Sequence, residues 1–191
     1  MCGIFGWINQ DNPEKNNEVA ILASDRGIHS FGYAYFDNGL QVIKKKGNIK
    51  LHKNTIPKTD KLIGHQRLAT FGGIELDNGC PFMTEDFAFV HNGNIRDYQE
   101  LANKYSYELK SGCDSEVLIP IIKDNTEKII SELSGPFAIA IISQDQIILL
   151  RRGLPIYSNG AVFCSKKFPD SFLIPENQLI YVKENIQEKI H

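Results

Sequence analysis

Cysteine stands second in this chain, in Met1-Cys2-Gly3-Ile4-Phe5-Gly6-Trp7-Ile8. With Met1 removed, one residue would carry both a thiol and a free α-amine. That pairs a nucleophile with a base, since an α-amine titrates at about 7.7–8.0 and a base within hydrogen-bond reach activates a thiol. On position alone, a cysteine near a terminus is an accident of sequence. Its company changes the reading. Ser24 to Gly32 is a polar, glycine-punctuated loop, and Gly64 to Gly73 places Arg67 at a strand end before Gly72-Gly73. Val90 to Ile95 ends an apolar run in His91-Asn92-Gly93, and Ser111 to Glu116 gathers acids at a helix start. Taken singly, each has a plain structural reading: Asn92-Gly93 as a turn, Arg67 as a surface charge, Asp114 as an N-cap. Taken together with Cys2, they are the parts of an amide hydrolase.

Cleavage of an amide by a thiolate passes through a tetrahedral oxyanion. Each donor aimed at that oxygen is worth about 10²–10³ in rate. Asn92 offers a side-chain N–H and Gly93 a backbone N–H, with glycine letting the backbone approach closely. A zwitterionic amino-acid substrate needs a guanidinium for its carboxylate and an acid for its ammonium. Arg67 and Asp114 supply that pair, and the arginine fork matches a carboxylate in bidentate fashion.

These residues must be held by a framework. Residues 3–8 are apolar and read as a buried strand, which would fix Cys2 against a rigid element. Residues 13–25 suggest a helix. Asp37-Asn38-Gly39 between Phe31–Phe36 and Leu40–Lys45 predicts a hairpin. Strands are expected at Leu62–Leu68, Phe87–His91, Phe137–Ile142 and Gln146–Leu150, with shorter ones at 155–157, 161–164 and 179–182. Helical spacing covers Ile95–Tyr105. A second helix is expected over Asp114–Ile122 despite Pro120, and Ile129–Leu133 is expected to extend helical structure up to Ser134-Gly135-Pro136. Hairpins outnumber crossovers, so mostly antiparallel sheets with helices packed outside are expected. The Lys44-Lys45-Lys46 run reads as a solvated strand face.

The 191 residues suit one domain, taken as 1–191. A formal net charge of −2 leaves no footprint for nucleic acid or an anionic membrane. No apolar run approaches a membrane span. The four cysteines form no C-x-x-C pair and the five histidines are scattered, so no metal site is expected. Without a secretion signal the cysteines read as reduced thiols of a soluble cytoplasmic protein.

The ordered motifs resemble a class II glutamine amidotransferase domain, a glutaminase of the N-terminal-nucleophile hydrolase superfamily. The opening Cys-Gly-Ile-Phe-Gly, Arg26 to Gly32 as Arg-Gly-x-x-Ser-x-Gly, His65 to Thr70 as His-x-Arg-x-Ala-Thr, His91 to Ile95 as His-Asn-Gly-x-Ile, Asp114 to Val117 as Asp-Ser-Glu-Val and Leu133 to Ala138 occur in the family's order. The pattern is most similar to the glutaminase domains of glucosamine-phosphate synthase and amidophosphoribosyltransferase, and it spans residues 2 to about 182. The resemblance implies an α+β fold, a four-layer αββα sandwich of two antiparallel sheets. It implies Cys2 as nucleophile with its α-amine as proton carrier, and Asn92 with Gly93 as oxyanion hole. Arg67 and Asp114 would hold glutamine with help from Thr70, and Arg26 and Gly27 would lie beside the amino terminus. Glutamine would become glutamate and ammonia without cofactor or metal. Relatives pass ammonia to a synthase domain in the same chain; no such segment is recognisable here, so the acceptor site is expected on a separate subunit.

Departures from the family pattern cluster around the substrate lid. Leu68 and Phe71 stand where glucosamine-phosphate synthases carry Trp and His, and Asn78-Gly79-Cys80-Pro81-Phe82 lacks both histidines of their Asn-Ala-His-Pro-His. Two other readings stay open on that basis: a glutamine-binding relative without turnover, and an amidase for a different amide.

Overall fold

The computed structural model describes residues 2–8, 12–69, 73 and 75–182. In chain order come β1 (Gly3–Ile8), α1 (Pro13–Ser24), β2 (Ser30–Phe36), β3 (Leu40–Lys46) and β4 (Lys61–Arg67). β5 (Phe82–Met83), β6 (Phe87–Gly93), α2 (Tyr98–Lys104), α3 (Leu118–Asp124) and α4 (Lys128–Glu132) follow. β7 (Phe137–Ser143), β8 (Ile147–Arg152), β9 (Tyr157–Ser158), β10 (Val162–Cys164), β11 (Phe172–Leu173) and β12 (Ile180–Val182) close the described chain.

The strands form two antiparallel sheets, ordered β11-β9-β10-β1-β4-β2-β3 and β12-β8-β7-β6-β5. Period-two alternation sorts β1 between two cores. Ile4 and Ile8 join Ile63 in a core shared with Phe89, Ala138 and Ala140 of the other sheet. Phe5 and Trp7 instead pack with Leu62 against Val19, Ala20 and Ala23 of α1. β1 is thus buried along its whole length, which is why its sequence is continuously apolar. Leu101, Leu118, Ile121 and Ile129 of α2, α3 and α4 belong to the same core as the second sheet. The layers therefore run helix, sheet, sheet, helix, the α+β arrangement the motif order implied.

Local chemistry explains the boundaries. Asn12 caps α1 by accepting from the backbone N–H groups of Glu14 and Lys15 at 3.1 and 3.2 Å, with Pro13 opening the first turn. Asn38 and Gly39, at φ 50° and 120°, take the left-handed backbone that the β2–β3 turn needs. Several expectations are corrected. The helix expected from Ile95 begins only at Tyr98, and the Ile95 N–H donates to the Asp114 carboxylate at 2.7 Å. The helix expected over Asp114–Ile122 divides into a 3-10 turn at Asp114–Val117 and then α3, where Pro120 sits in the first turn and forfeits no hydrogen bond. β6 runs past His91 to Gly93. Lys44 is not on a solvated face: it is half-buried with its ammonium 5.1 Å from the centre of the Phe82 ring, and burial pulls its pKa down. Thr70 and Phe71 lie outside the described residues, as does the tail after Val182.

Candidate active site

Cys2 is carried on the end of the best-supported strand of the first sheet. β1 pairs with β4 from Gly3↔Gln66 to Ile8↔Lys61 and with β10 at Phe5↔Cys164. Just past that ladder the Ile4 N–H donates to Ser165 Oγ at 3.0 Å, and the Ser165 N–H donates to the Ile4 carbonyl at 2.8 Å. Arg26 donates to the Ser165 carbonyl at 2.7 Å, so the expected neighbour of the amino terminus braces the residue that braces β1. The thiol lies in the backbone of Leu68, whose N–H points at Sγ from 3.4 Å and whose carbonyl lies 3.6 Å away. Burial pushes the Cys2 thiol above its usual pKa, while the Leu68 backbone, Arg67 and Arg26 pull the other way. The thiol is therefore protonated at neutral pH and needs a base at hand.

Asn92 lies beside it. The Cys2 backbone nitrogen donates to Asn92 Oδ1 at 3.2 Å. The other end of that amide, Nδ2, is buried without a protein hydrogen-bond partner. A buried unpaired donor costs about 1–3 kcal/mol, so its retention calls for a use. Gly93 follows at the end of β6. A Cβ there would sit 2.5 Å from His91 Nε2 and 2.9 Å from the Pro136 carbonyl oxygen, so no larger residue fits without displacing both.

Arg67 and Asp114 are 5% and 6% exposed, which excludes the surface-charge reading for Arg67. They line one cavity with Cys2, Leu68 and Gly93. Asp114 Oδ2 accepts from the Ile95 N–H, and Ser115 Oγ, 3.4 Å from Oδ1, also lies 2.8 Å from His91 Nδ1. Asp114 therefore does not cap its own helix; it ties the 114–117 turn to the strand that carries Asn92 and Gly93. Glu116 holds the preceding loop by accepting from the N–H groups of Lys110 and Ser111 at 2.8 and 2.6 Å and from the Tyr107 hydroxyl at 3.2 Å. The cavity encloses only about 30 Å³ as it stands, room for a water or two. His65 and His91 line it as neutral imidazoles, because burial pushes their pKa values down to about 3 and about 4. Cys80 and Cys113 line it too, and burial raises both thiols as it raises that of Cys2.

Gly27 explains how the Arg26 loop reaches the site. A Cβ on it would lie 2.6 Å from the Arg67 carbonyl, so the loop runs directly against the end of β4. His29 extends the brace: its N–H donates to the Arg67 carbonyl at 3.1 Å, and its Nδ1 accepts from the Ala69 N–H at 2.9 Å. The structure thus brings Cys2, Asn92, Gly93, Arg67 and Asp114 together and places Arg26 and Gly27 behind them. Thr70 cannot be placed among the described residues. Sequence reasoning missed Leu68 as a backbone cradle, Ser165, His29 as a brace and Glu116. Backbone groups leave no side-chain signature, and Ser165 is 161 positions from its partner. Among the described residues no group of three or more His, Cys, Asp or Glu side chains is arranged to hold a metal ion, and no helix is long and apolar enough to cross a membrane.

Residues 1–156 match the family model of the glutamine amidotransferase domain, and the chain belongs to that family. Among curated relatives it is 30% identical over 178 residues to glutamine–fructose-6-phosphate aminotransferase (isomerizing) of Thermotoga maritima, covering 82% of this chain and 29% of that protein. The enzyme of the same name from Aquifex aeolicus is 33% identical over 97% of this chain and 35% of its own length. The chain thus spans about a third of the curated relatives it matches. Among solved structures, the glutamine phosphoribosylpyrophosphate amidotransferase from B. subtilis superimposes with a TM-score of 0.71 at 26% identity, over 86% of this chain and 42% of that one.

Proposed function

We propose that the chain acts as a glutaminase unit, hydrolysing L-glutamine to glutamate and ammonia through a γ-glutamyl thioester on Cys2. The observation that carries this reading is the unpaired, buried Asn92 Nδ2 beside the Cys2 thiol, with Arg67 and Asp114 in the adjoining cavity. Removal of Met1 frees the α-amine, and Asn92 Oδ1, which already accepts from that nitrogen, orients it. The amine takes the thiol proton that burial otherwise retains. The thiolate attacks the γ-carbonyl, and Asn92 Nδ2 and the Gly93 N–H stabilise the oxyanion. Collapse expels ammonia as it receives the proton, and water then cleaves the thioester by the same route. Arg67 holds the substrate carboxylate and Asp114 its ammonium. Since the clamp cavity is small as it stands, seating glutamine in it requires movement of its wall, and Asn78 and Cys80 of the substituted segment line it.

The ammonia acceptor is proposed to sit on a separate protein. What supports an acceptor beyond the glutaminase site is that the relatives' names pair glutamine with a second substrate, fructose-6-phosphate or phosphoribosylpyrophosphate. All four cysteines are free thiols, which suits a reducing cytoplasm. The test is ammonia release from glutamine by purified protein whose intact mass shows Met1 absent. Activity should vanish in Cys2→Ala and after 6-diazo-5-oxo-norleucine. Processed protein that binds glutamine but never turns it over would refute the reading.

A further inference from the structure

Two cavities meet at Cys2, and only one contains the proposed glutamine clamp. The second shares Cys2, Leu68 and Gly93 with the first but opens past the end of β6, with a volume of about 490 Å³. That is within the range of about 300–1,000 Å³ typical of small-molecule sites, and far more than a hydrolytic water needs. Its wall is formed by Asn94 and Arg96, immediately beyond the oxyanion residues, and by Pro136 and Leu154. Among the described residues no acidic side chain lines it, and Arg96 is the one charged side chain of its wall. Neither Asn94 nor Arg96 makes a side-chain hydrogen bond or ion pair with any described residue. Every charged group of the clamp cavity, by contrast, is buried.

We propose that this second cavity is an acceptor subsite for a small primary amine that bears a carboxylate, to which the γ-glutamyl group is transferred in competition with water. The proposal rests on the Cys2 thioester reading above. Arg96 would pair with the acceptor carboxylate, since a guanidinium fork matches it. Pro136 and Leu154 would contact the carbon chain. No described side chain of the wall would hold the acceptor nitrogen as ammonium, and attack needs its lone pair. In the step itself the amine nitrogen bonds to the thioester carbonyl carbon and the C–S bond breaks. Sγ leaves as thiolate, and the proton lost by the amine returns to it through the Cys2 α-amine. The products are a γ-glutamyl amide and the free thiol, with no change of oxidation state.

The test uses the processed full chain with L-glutamine and paired acceptors, β-alanine against ethylamine and glycine against methylamine, at equal free-amine concentration. Mass spectrometry reads the ratio of γ-glutamyl amide to glutamate. The carboxylated amines should be favoured by up to about fivefold, the worth of one exposed ion pair. Arg96→Ala should abolish the preference while leaving kcat and KM for glutamine hydrolysis within about twofold. Equal partitioning within each pair, or hydrolysis with no amide formed, overturns the proposal. So does an Arg96→Ala variant with raised KM for glutamine, which would make this cavity the seat of glutamine itself. If the wild type hydrolyses no glutamine, the thioester reading fails instead. Saturation-transfer NMR with β-alanine then decides the cavity: binding lost in Arg96→Ala sustains the site, and no binding to wild type removes it.

Discussion

Replacing Asn92 by alanine separates catalysis from stability. Two effects on the fold oppose each other. The substitution deletes the hydrogen bond from the Cys2 nitrogen to Oδ1, worth about 0.5–1.5 kcal/mol. It also deletes the buried Nδ2 that has no protein partner, relieving about 1–3 kcal/mol. The net change in folding free energy should stay within about 2 kcal/mol of zero, and Tm should move by only a few degrees in a chain of this size. Turnover has no such cancellation. An oxyanion donor removed costs about 10²–10³ in kcat, or about 2.7–4 kcal/mol of transition-state stabilisation. Because Arg67 and Asp114 are untouched, KM for glutamine should hold within about threefold, the signature of an interaction made only in the transition state. Steady-state ammonia release, read beside a thermal melt of the same preparation, decides the matter. A kcat within tenfold of wild type would refute the oxyanion role of Nδ2, as would a loss of activity that simply follows a collapsed Tm.

Further outcomes follow from the same geometry. Gly93→Ala should cost at least as much kcat as Asn92→Ala, because its Cβ would drive into His91 Nε2 and the Pro136 carbonyl; a variant retaining most of its turnover would show that the backbone there yields easily. Arg67→Ala should raise KM for glutamine by about ten- to a hundredfold, with unchanged half-saturation counting against the clamp. Burial holds His65 and His91 well below the 6.5 of an unfolded imidazole, so the unfolded chain binds protons that the native state refuses. Stability should be full above about pH 6.5 and fall toward pH 4, by up to about 1.4 kcal/mol per pH unit for each ring. Urea midpoints that stay level from pH 7 to 5 would contradict this. Glu116→Ala strands two backbone N–H groups of the 110–111 loop, so it should lower Tm by several degrees and raise KM through Asp114; a melt and a KM both matching wild type would remove Glu116 from the site's support.

Much of this arrangement was legible from pattern alone. The apolar run of β1, the Asp37-Asn38-Gly39 turn and the strand before Asn92 are strong local signals, and the structure forms all three. Alternation along β4 puts Ile63, His65 and Arg67 on the face toward the second sheet, which is how a strand-end arginine becomes a buried one. Legibility fails where the determinant is non-local or belongs to the backbone. The bond that ties Ile95 to Asp114 spans 19 residues, β5 and β11 are two residues each, and the Leu68 cradle would look the same with another side chain. Lys44 was misread because a period-two pattern says nothing of an aromatic ring arriving from another strand.

The pairing of β1 between β4 and β10 sets an order of assembly during synthesis. The strand that carries Cys2 is not flanked on both sides until Val162–Cys164 and Ser165, the last of them 161 positions beyond Ile4, are available. At about 5–20 residues per second that interval is on the order of ten to thirty seconds. Throughout it β1 lacks one of its two hydrogen-bonding neighbours. The trimming that would create the nucleophile thus has its window before the fold that would use it is complete.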